Sequence, residues 1–459
     1  MGTELLAPLD LAFWHLESDA HPMHLGALAV FSPAPGPGAA PDHVLELLRT
    51  RAAAIPRLRM CVRDVLLPVG GAAWTVDKDF DVHRHVRRVA VDDGDFMAGA
   101  TRLAGELMEQ PLERGLPPWQ LYLIGGADGG PFAVLVKLHH ALADGMRAVA
   151  IGAGIFDEIA AATRPAPRGR PAVPPRSWLP DPREMAGMAL GRIGEVGRAL
   201  GVGASVVRAG RLDLRSTAFT APSSGTRRLA TADLDATALQ RIRRAEGGTA
   251  NDILLAVVAG ALRRWMAGRG EALPGTGPRA LVPVSRRRPG GAITGNRLSA
   301  YLLDLPVGAA DPRERLRAVR AAMDRNKAAG PLKGAGAVAV LADQLHPLAH
   351  RFGAPLAANA ARMLFDLLVT SVPLPRSALS LAGCPLSALY PMAPLARGQS
   401  LAVALSTYGG RVHVGLVADG KALPDLDRLA EAVEEEFAEL EELVTGGLRS
   451  GARAPEPVT

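Results

Sequence analysis

Two stretches of alternating strand-like and helical patterns, separated by a run crowded with proline, arginine and glycine, most constrain what this chain can become. Before residue 163, Ala27–Ser32 and Phe132–Leu138 are apolar runs of strand length, whereas His43–Ala54 and Phe96–Glu109 read as helices. Ala148–Ala162 repeats apolar residues at Val149, Ala153, Phe156 and Ile159, the spacing of a helix. After residue 228, Asp252–Met266 reads as a helix, Arg279–Val284 as a buried strand and Leu426–Val444 as an acidic amphipathic helix. Leu401–Thr407 and Arg411–Leu416 alternate around Gly409-Gly410, the pattern of a hairpin. A chain of 459 residues exceeds the size at which one hydrophobic core usually stops growing. The expected fold class is therefore α/β in two lobes, with an N-terminal lobe over residues 1–163, a crossover over 164–227 and a C-terminal lobe over 228–459.

The crossover also holds most of the charge. Residues 164–228 carry twelve arginines against four acidic residues, so of the net +6 this stretch supplies +8 and the rest of the chain −2. Arg164–Pro182 reads as a linker, and Glu184–Leu212 as a weakly amphipathic helix with Met185, Ala189, Ile193, Val196 and Leu200 on one side. Two readings of the basic stretch stand side by side: a solvated crossover, or a segment drawn to an anionic lipid surface. Nucleic acid is not an expected partner, because aromatic residues do not interleave the arginines.

Two cysteines, Cys61 and Cys384, cannot build a disulfide framework or a zinc cluster, and a reducing cytosol fits. The N-terminus shows no basic region followed by an apolar one, so no secretory signal is expected. The longest apolar run, Ile253–Leu262, is too short to span a bilayer. The expected location is cytoplasmic, with any lipid contact peripheral, at the inner membrane face or on a lipid droplet.

The chemistry concentrates in His139-His140-Ala-Leu-Ala-Asp144-Gly145, between the apolar strand and the Ala148 helix. Successive strand side chains point to opposite faces, so two adjacent histidines cannot share one cleft unless the strand breaks there. One should be catalytic and the other packed or supporting. An imidazole with an ordinary pKa of about 6.5 can accept a proton near neutrality. Asp144 stands where it would cap the next helix or pair with an arginine, fixing the loop that carries the histidines. A metal centre needs more ligands than His140 and Asp144 offer locally, and no metal is expected. No Gly-x-Ser-x-Gly elbow occurs, and Gly415–Ala422 fails as a phosphate loop because Ala422 stands where a hydroxyl must hold magnesium. His83 and His85 lie in an arginine-rich polar stretch and are expected at the surface.

The HHxxxDG pattern resembles that of the CoA-dependent acyltransferase superfamily, which includes chloramphenicol acetyltransferase and condensation domains of nonribosomal peptide synthetases. Nearly end to end, the chain further resembles the bacterial wax ester synthase/diacylglycerol acyltransferase family. The resemblance runs through Pro8-Leu9-Asp10, Phe13, Glu17 and Pro22-Met23-His24, then Pro117-Pro118-Trp119 for a Pro-Leu-Trp motif. It continues through Thr249-Ala250-Asn251-Asp252, Pro283-Val284-Ser285, Gly295-Asn296-Arg297 and Thr370-Ser371-Val372-Pro373-Leu374-Pro375, and ends at Asp419 and Pro424-Asp425. Pro118, Ser371, Leu374 and Gly420 depart from the family pattern.

The resemblance implies a chloramphenicol-acetyltransferase-like fold with mixed sheets and an active site in the cleft between lobes. It implies transfer of a long-chain acyl group from acyl-CoA, as co-substrate and not as a bound cofactor, to diacylglycerol or a fatty alcohol. His140 would be the general base, supported by His139 and Asp144, with Gly145, Trp119, Asn251, Asp252, Thr370 and Ser371 as substrate-binding residues. Asn251 and the Thr370-Ser371 loop are the candidates for donors to the oxyanion. Asn251-Asp252 would also cap its helix, and Trp119 has an alternative as plain core. Two other functions remain open: acylation of a natural-product or other non-glyceride alcohol, which the departures at Pro118, Ser371 and Leu374 keep open, and acyl binding without turnover, which the intact motif disfavours.

Overall fold

The computed structural model describes residues 4–33, 40–67, 69–91, 94–125, 130–158, 217–285, 298–329, 351 and 364–451. The expected linker and helix of the basic crossover, and the Gly295-Asn296-Arg297 landmark, lie outside the described residues. In the first part of the chain the order is β1 (Glu4–Leu5), α1 (Pro8–Leu16), β2 (His24–Phe31), α2 (Pro41–Ala54), β3 (Met60–Asp64), β4 (Ala72–Val76) and β5 (Val86–Ala90). Next come α3 (Phe96–Glu109), β6 (Trp119–Gly125), β7 (Phe132–His139), α4 (Gly145–Ile155) and β8 (Asp157–Glu158). The later part contains β9 (Arg227–Asp235), α5 (Ala236–Glu246), α6 (Ala250–Gly268), β10 (Arg279–Ser285), β11 (Leu298–Asp304) and α7 (Pro312–Ala329). It ends with β12 (Leu367–Val372), β13 (Leu379–Leu381), β14 (Cys384–Met392), β15 (Leu401–Tyr408), β16 (Arg411–Asp419) and α8 (Leu426–Gly451).

These strands form a seven-stranded mixed sheet in the order β5-β6-β7-β2-β14-β13-β8, a six-stranded mixed sheet in the order β11-β10-β12-β15-β16-β9, and a small sheet β1-β4-β3. The α/β class and the two-lobed architecture are those expected. The expected division by residue number puts 228–459 in one lobe, yet β13 and β14 from that stretch lie in the other lobe's sheet. There β14 pairs antiparallel with β2 and β13 with β8. Hydrophobic periodicity identifies a strand but not its neighbour, so this exchange has no local signature. The Ala148 helix also ends sooner than its pattern suggests: α4 stops at Ile155, and Asp157–Glu158 turn into β8.

Period-two alternation packs the seven-stranded sheet on both faces. Ala29, Phe31, Leu121, Leu123 and Val134 face a core shared with α1, α2 and α4. Their neighbours Leu28, Val30, Tyr122, Ile124 and Leu135 face α3 and the other sheet. That second sheet presents small residues to the first: Ala402 and Ala404 point to the gap, whereas Leu401, Val403 and Leu405 point to the C-terminal core. At Gly415 the sheets approach so closely that a Cβ would lie 2.0 Å from the Pro391 carbonyl oxygen. Tyr390 and His413, 2.9 Å and 2.6 Å from the two oxygens of Asp233, tie the sheets together beside this contact.

The C-terminal core wraps α6, whose residues from Asp252 to Leu262 are all buried, as expected of a helix apolar all round. Gly409 and Gly410, with φ of 57° and 81°, supply the left-handed turn that joins β15 to β16. No helix among the described residues is long and apolar enough to cross a membrane.

Candidate active site

The histidine pair sits where β7 ends. His139 is the last residue of the strand and pairs with His24 of β2; His140 begins the turn. The break lets the two side chains take different roles. Two flanking segments hold the turn by main-chain bonds: His139 N–H donates to the Pro118 carbonyl at 3.0 Å, and His140 N–H to the Met23 carbonyl at 2.7 Å. The Pro117-Pro118-Trp119 and Pro22-Met23-His24 segments therefore act as two jaws on the histidine loop. A proline at 118 is compatible with this role, because the bond uses its carbonyl and not an N–H.

His139 is fully buried. Its Nδ1 accepts from Ala141 N–H at 3.0 Å, which puts the ring proton on Nε2, 3.4 Å from Glu17 Oε1. That approach is a polar contact and not a well-aligned hydrogen bond. Glu17 also accepts from Arg114 at 3.1 Å and from Met23 N–H at 3.4 Å. Burial pushes the Glu17 carboxyl up, but His139, Arg114 and the Met23 N–H together hold it below its ordinary range. His139 thus has Nδ1 committed to the main chain and Nε2 facing the Glu17 carboxylate.

His140 differs. Its ring stacks on Phe13 at 3.9 Å between centroids and keeps partial exposure. Burial lowers its pKa to about 4, against weaker upward pulls from its own main chain and the Asp144 carboxylate. At neutral pH the imidazole is uncharged. Asp144 is the N-cap of α4 and accepts from Arg147 N–H at 2.8 Å. The Arg147 side chain reaches Asp10 of the Pro8-Leu9-Asp10 segment at 3.7 Å. Helix α1 thus supplies Phe13 to His140, Trp14 edge-on to His139 at 5.0 Å, and Asp10 to the helix that follows the loop.

Behind the pair lies a buried charge that its sequence context does not reveal. Lys137 is fully enclosed, and its Nζ donates to the carbonyls of Leu107, at 2.7 Å, and Gln110. Burial lowers its pKa to about 7, with Glu17 opposing. Its neighbour His24 donates from Nε2 to the Met108 carbonyl at 2.7 Å and is held well below the ordinary histidine range by burial and then by Lys137. Together they anchor the end of α3 to the strand that carries the histidines. A lysine at an inward position of an apolar strand was the available signal.

Across from the loop, a cavity of about 880 Å³ opens in the C-terminal lobe, lined by Asn251, Asp252, Ser371, Val372, Leu374 and Tyr408 among others. The histidines are not part of its lining; it meets their loop at Gly145, where a Cβ would lie 3.9 Å from Val372. Ser371 Oγ donates to Asn251 Oδ1 at 2.9 Å, which brings two of the expected substrate residues together at the cavity wall. Thr370 is not in the lining, since alternation along β12 turns it from the face of Ser371. Asp252 borders the cavity, but its carboxylate is committed to a capping box: it accepts from Thr249 N–H at 2.8 Å, while Thr249 Oγ1 accepts from Asp252 N–H.

Trp119 does not join the site. It is fully buried, donates Nε1–H to the Leu58 carbonyl and stacks on His85 at 4.6 Å, so it offers a substrate no surface. His85 corrects a second expectation. It is buried, not superficial, with Nδ1–H donating to the Trp119 carbonyl at 2.8 Å; His83 is exposed. The arginines around His85 point outward while the imidazole turns in, a choice that composition does not encode. Among the described residues no cluster of three or more metal-ligating side chains occurs.

Comparison with known proteins points to one family along most of the chain. The wax ester synthase/diacylglycerol acyltransferase catalytic domain matches residues 6–254, and the C-terminal domain of the same family matches residues 294–441. Two Mycobacterium tuberculosis proteins described as probable diacylglycerol O-acyltransferases are each 31% identical to the chain. One, tgs2, aligns over 96% of this chain and 99% of its own length; the other, tgs1, over 95% of each. The solved wax ester synthase/diacylglycerol acyltransferase of Marinobacter aquaeolei superposes with a TM-score of 0.70 at 24% identity, covering 96% of this chain and 100% of that one. The starter condensation domain of rhizomide synthetase, solved with C8-CoA, gives 0.55 at 15% identity, covering 96% and 95%. At these identities the two superpositions speak for the fold.

Proposed function

The chain belongs to the wax ester synthase/diacylglycerol acyltransferase family, and from that premise we propose that it moves a long-chain acyl group from acyl-CoA to the hydroxyl of diacylglycerol or of a fatty alcohol, with His140 as general base. The observation that carries this reading is the division of labour in the histidine pair. His139 accepts from the main chain at Nδ1 and turns Nε2 toward the buried Glu17 carboxylate, whereas His140 is partly exposed and is kept neutral by its surroundings.

The step is direct transfer. His140 takes the hydroxyl proton as the alcohol oxygen attacks the thioester carbonyl. The tetrahedral oxyanion collapses, the carbon–sulfur bond breaks, and the proton passes to the departing CoA thiolate. General base help of this kind contributes roughly 10²–10⁴-fold, and holding both substrates in attack geometry adds to it. The Asn251 side-chain amide, whose carbonyl oxygen accepts from Ser371, keeps its N–H donors on the cavity wall as a candidate for the oxyanion. No covalent acyl-enzyme is needed.

Labelled palmitoyl-CoA with diacylglycerol and hexadecanol as competing acceptors tests the reading directly. Labelled triacylglycerol or wax ester names the acceptor; release of CoA without either product rejects both. A non-glyceride alcohol is the second reading. Ser371 and Leu374, two of the positions that depart from the family pattern, line the cavity, so the departures fall where an acceptor would be selected.

The depressed pKa sets the pH profile. The neutral imidazole is the active form, so log kcat/KM is expected to stay level as pH falls from 7 to about 5, to bend at about 4 and to decline with unit slope only below it. A break near 6.5 would show an unshifted histidine. The same depression costs stability as pH falls from the unfolded-state value of 6.5 toward 4, because the unfolded chain then binds the proton and the folded one does not. Circular dichroism at each pH separates the two effects.

A further inference from the structure

The hairpin that joins β3 to β4 ends in the sequence Val65-Leu66-Leu67-Pro68-Val69, which carries no charge. Leu66 is 92% exposed, Leu67 73% and Val69 53%, and Leu5 on the neighbouring strand is 52% exposed. Exposed apolar side chains grouped in this way are costly in water and mark a contact surface. The loop is also tied at its base. Val65 N–H donates to the Gly71 carbonyl at 3.1 Å, and His15 Nε2–H donates to the Gly70 carbonyl at 3.2 Å.

We infer that this tip is an interfacial anchor that inserts into a lipid surface and presents the active site to it. Two features select lipid over a protein partner. Side chains this exposed project from a narrow tip and do not form the broad face of a protein interface. Nearby stand Arg63, which is exposed, and the half-exposed Arg114 and Arg351, paired with Glu17 at 3.1 Å and Asp64 at 3.7 Å. Apolar residues ahead of long guanidinium side chains with little net charge fit acyl chains below zwitterionic headgroups. The anchor is continuous with the site, because His15 and the Phe13 that stacks on His140 share α1. The inference rests on the proposed function for the nature of the surface, one that bears a hydrophobic alcohol.

The test is flotation of the full chain with phosphatidylcholine vesicles containing diacylglycerol, at low and high salt, beside Leu66→Asp/Leu67→Asp. Both side chains are solvent-exposed, so the variant should fold as the parent does. The parent is expected to float at both salt concentrations, and the variant to bind at least about tenfold more weakly. The variant should acylate a water-soluble alcohol at the parental rate but lose activity on vesicle-borne diacylglycerol. Equal binding by parent and variant overturns the anchor, as does no binding by the parent. Binding confined to anionic vesicles and abolished by salt assigns the contact to basic residues and also overturns it. A change in sedimentation from dimer to monomer in the variant would make the occupant a second copy and would likewise overturn the lipid anchor. If the variant loses vesicle binding while the parent acylates no alcohol at all, the anchor stands and the proposed function falls.

Discussion

His140→Ala is expected to lower kcat for acyl transfer by roughly 10²–10⁴-fold while leaving the protein folded. The ring packs against Phe13 at the cleft wall, and losing one aromatic stack costs only about 0.5–1.5 kcal/mol. The melting temperature should therefore move by a few degrees. His139→Ala is the informative contrast. It removes the acceptor for Ala141 N–H and leaves the buried Glu17 carboxylate with only Arg114 and the Met23 N–H, so stability and activity should fall together. Thermal unfolding followed beside acyl transfer separates the two cases. Full activity in His140→Ala would remove the proposed base, whatever the fate of the rest of the site.

Trp119→Ala is expected to cost about 3–5 kcal/mol of stability, measured by urea denaturation, because it empties a fully buried indole site. It also orphans the Leu58 carbonyl and removes the surface on which His85 stacks. Trp119→Phe should keep most of that volume and leave KM for both substrates unchanged. The pair of variants decides what the Pro117-Pro118-Trp119 segment does. If Trp119→Phe raised KM several-fold with stability intact, the residue would have to be returned to the substrate site.

Much of the site is legible in the primary structure because its elements are local. The strand, the histidine pair, the aspartate at the helix start and the glycine after it form one continuous segment, and its geometry follows from strand alternation and helix capping. The capping box at Thr249 and Asp252 is legible for the same reason: both partners lie within one turn. Phe13 and Glu17 are visible only as members of a resemblance. Nothing local says that one stacks on His140 and the other meets His139, since both lie more than a hundred residues away. Lys137 is legible as an anomaly but not as an anchor, because its acceptors are carbonyls on another helix and just beyond its end.

Chain-local physics determined the α/β class, most helix and strand positions, the hairpin at Gly409-Gly410 and the placing of the histidine pair between strand and helix, since each rests on periodicity or on contacts a few residues apart. Tertiary structure alone decided which sheet receives β14, that Trp119 and His85 are core, and that Pro118 and Met23 clamp the histidine turn. It alone divided the histidine pair into one engaged and one poised side chain. Those outcomes depend on which surfaces meet after collapse, and burial, pKa and hydrogen-bond partnership are properties of the meeting surfaces, not of the residues that form them.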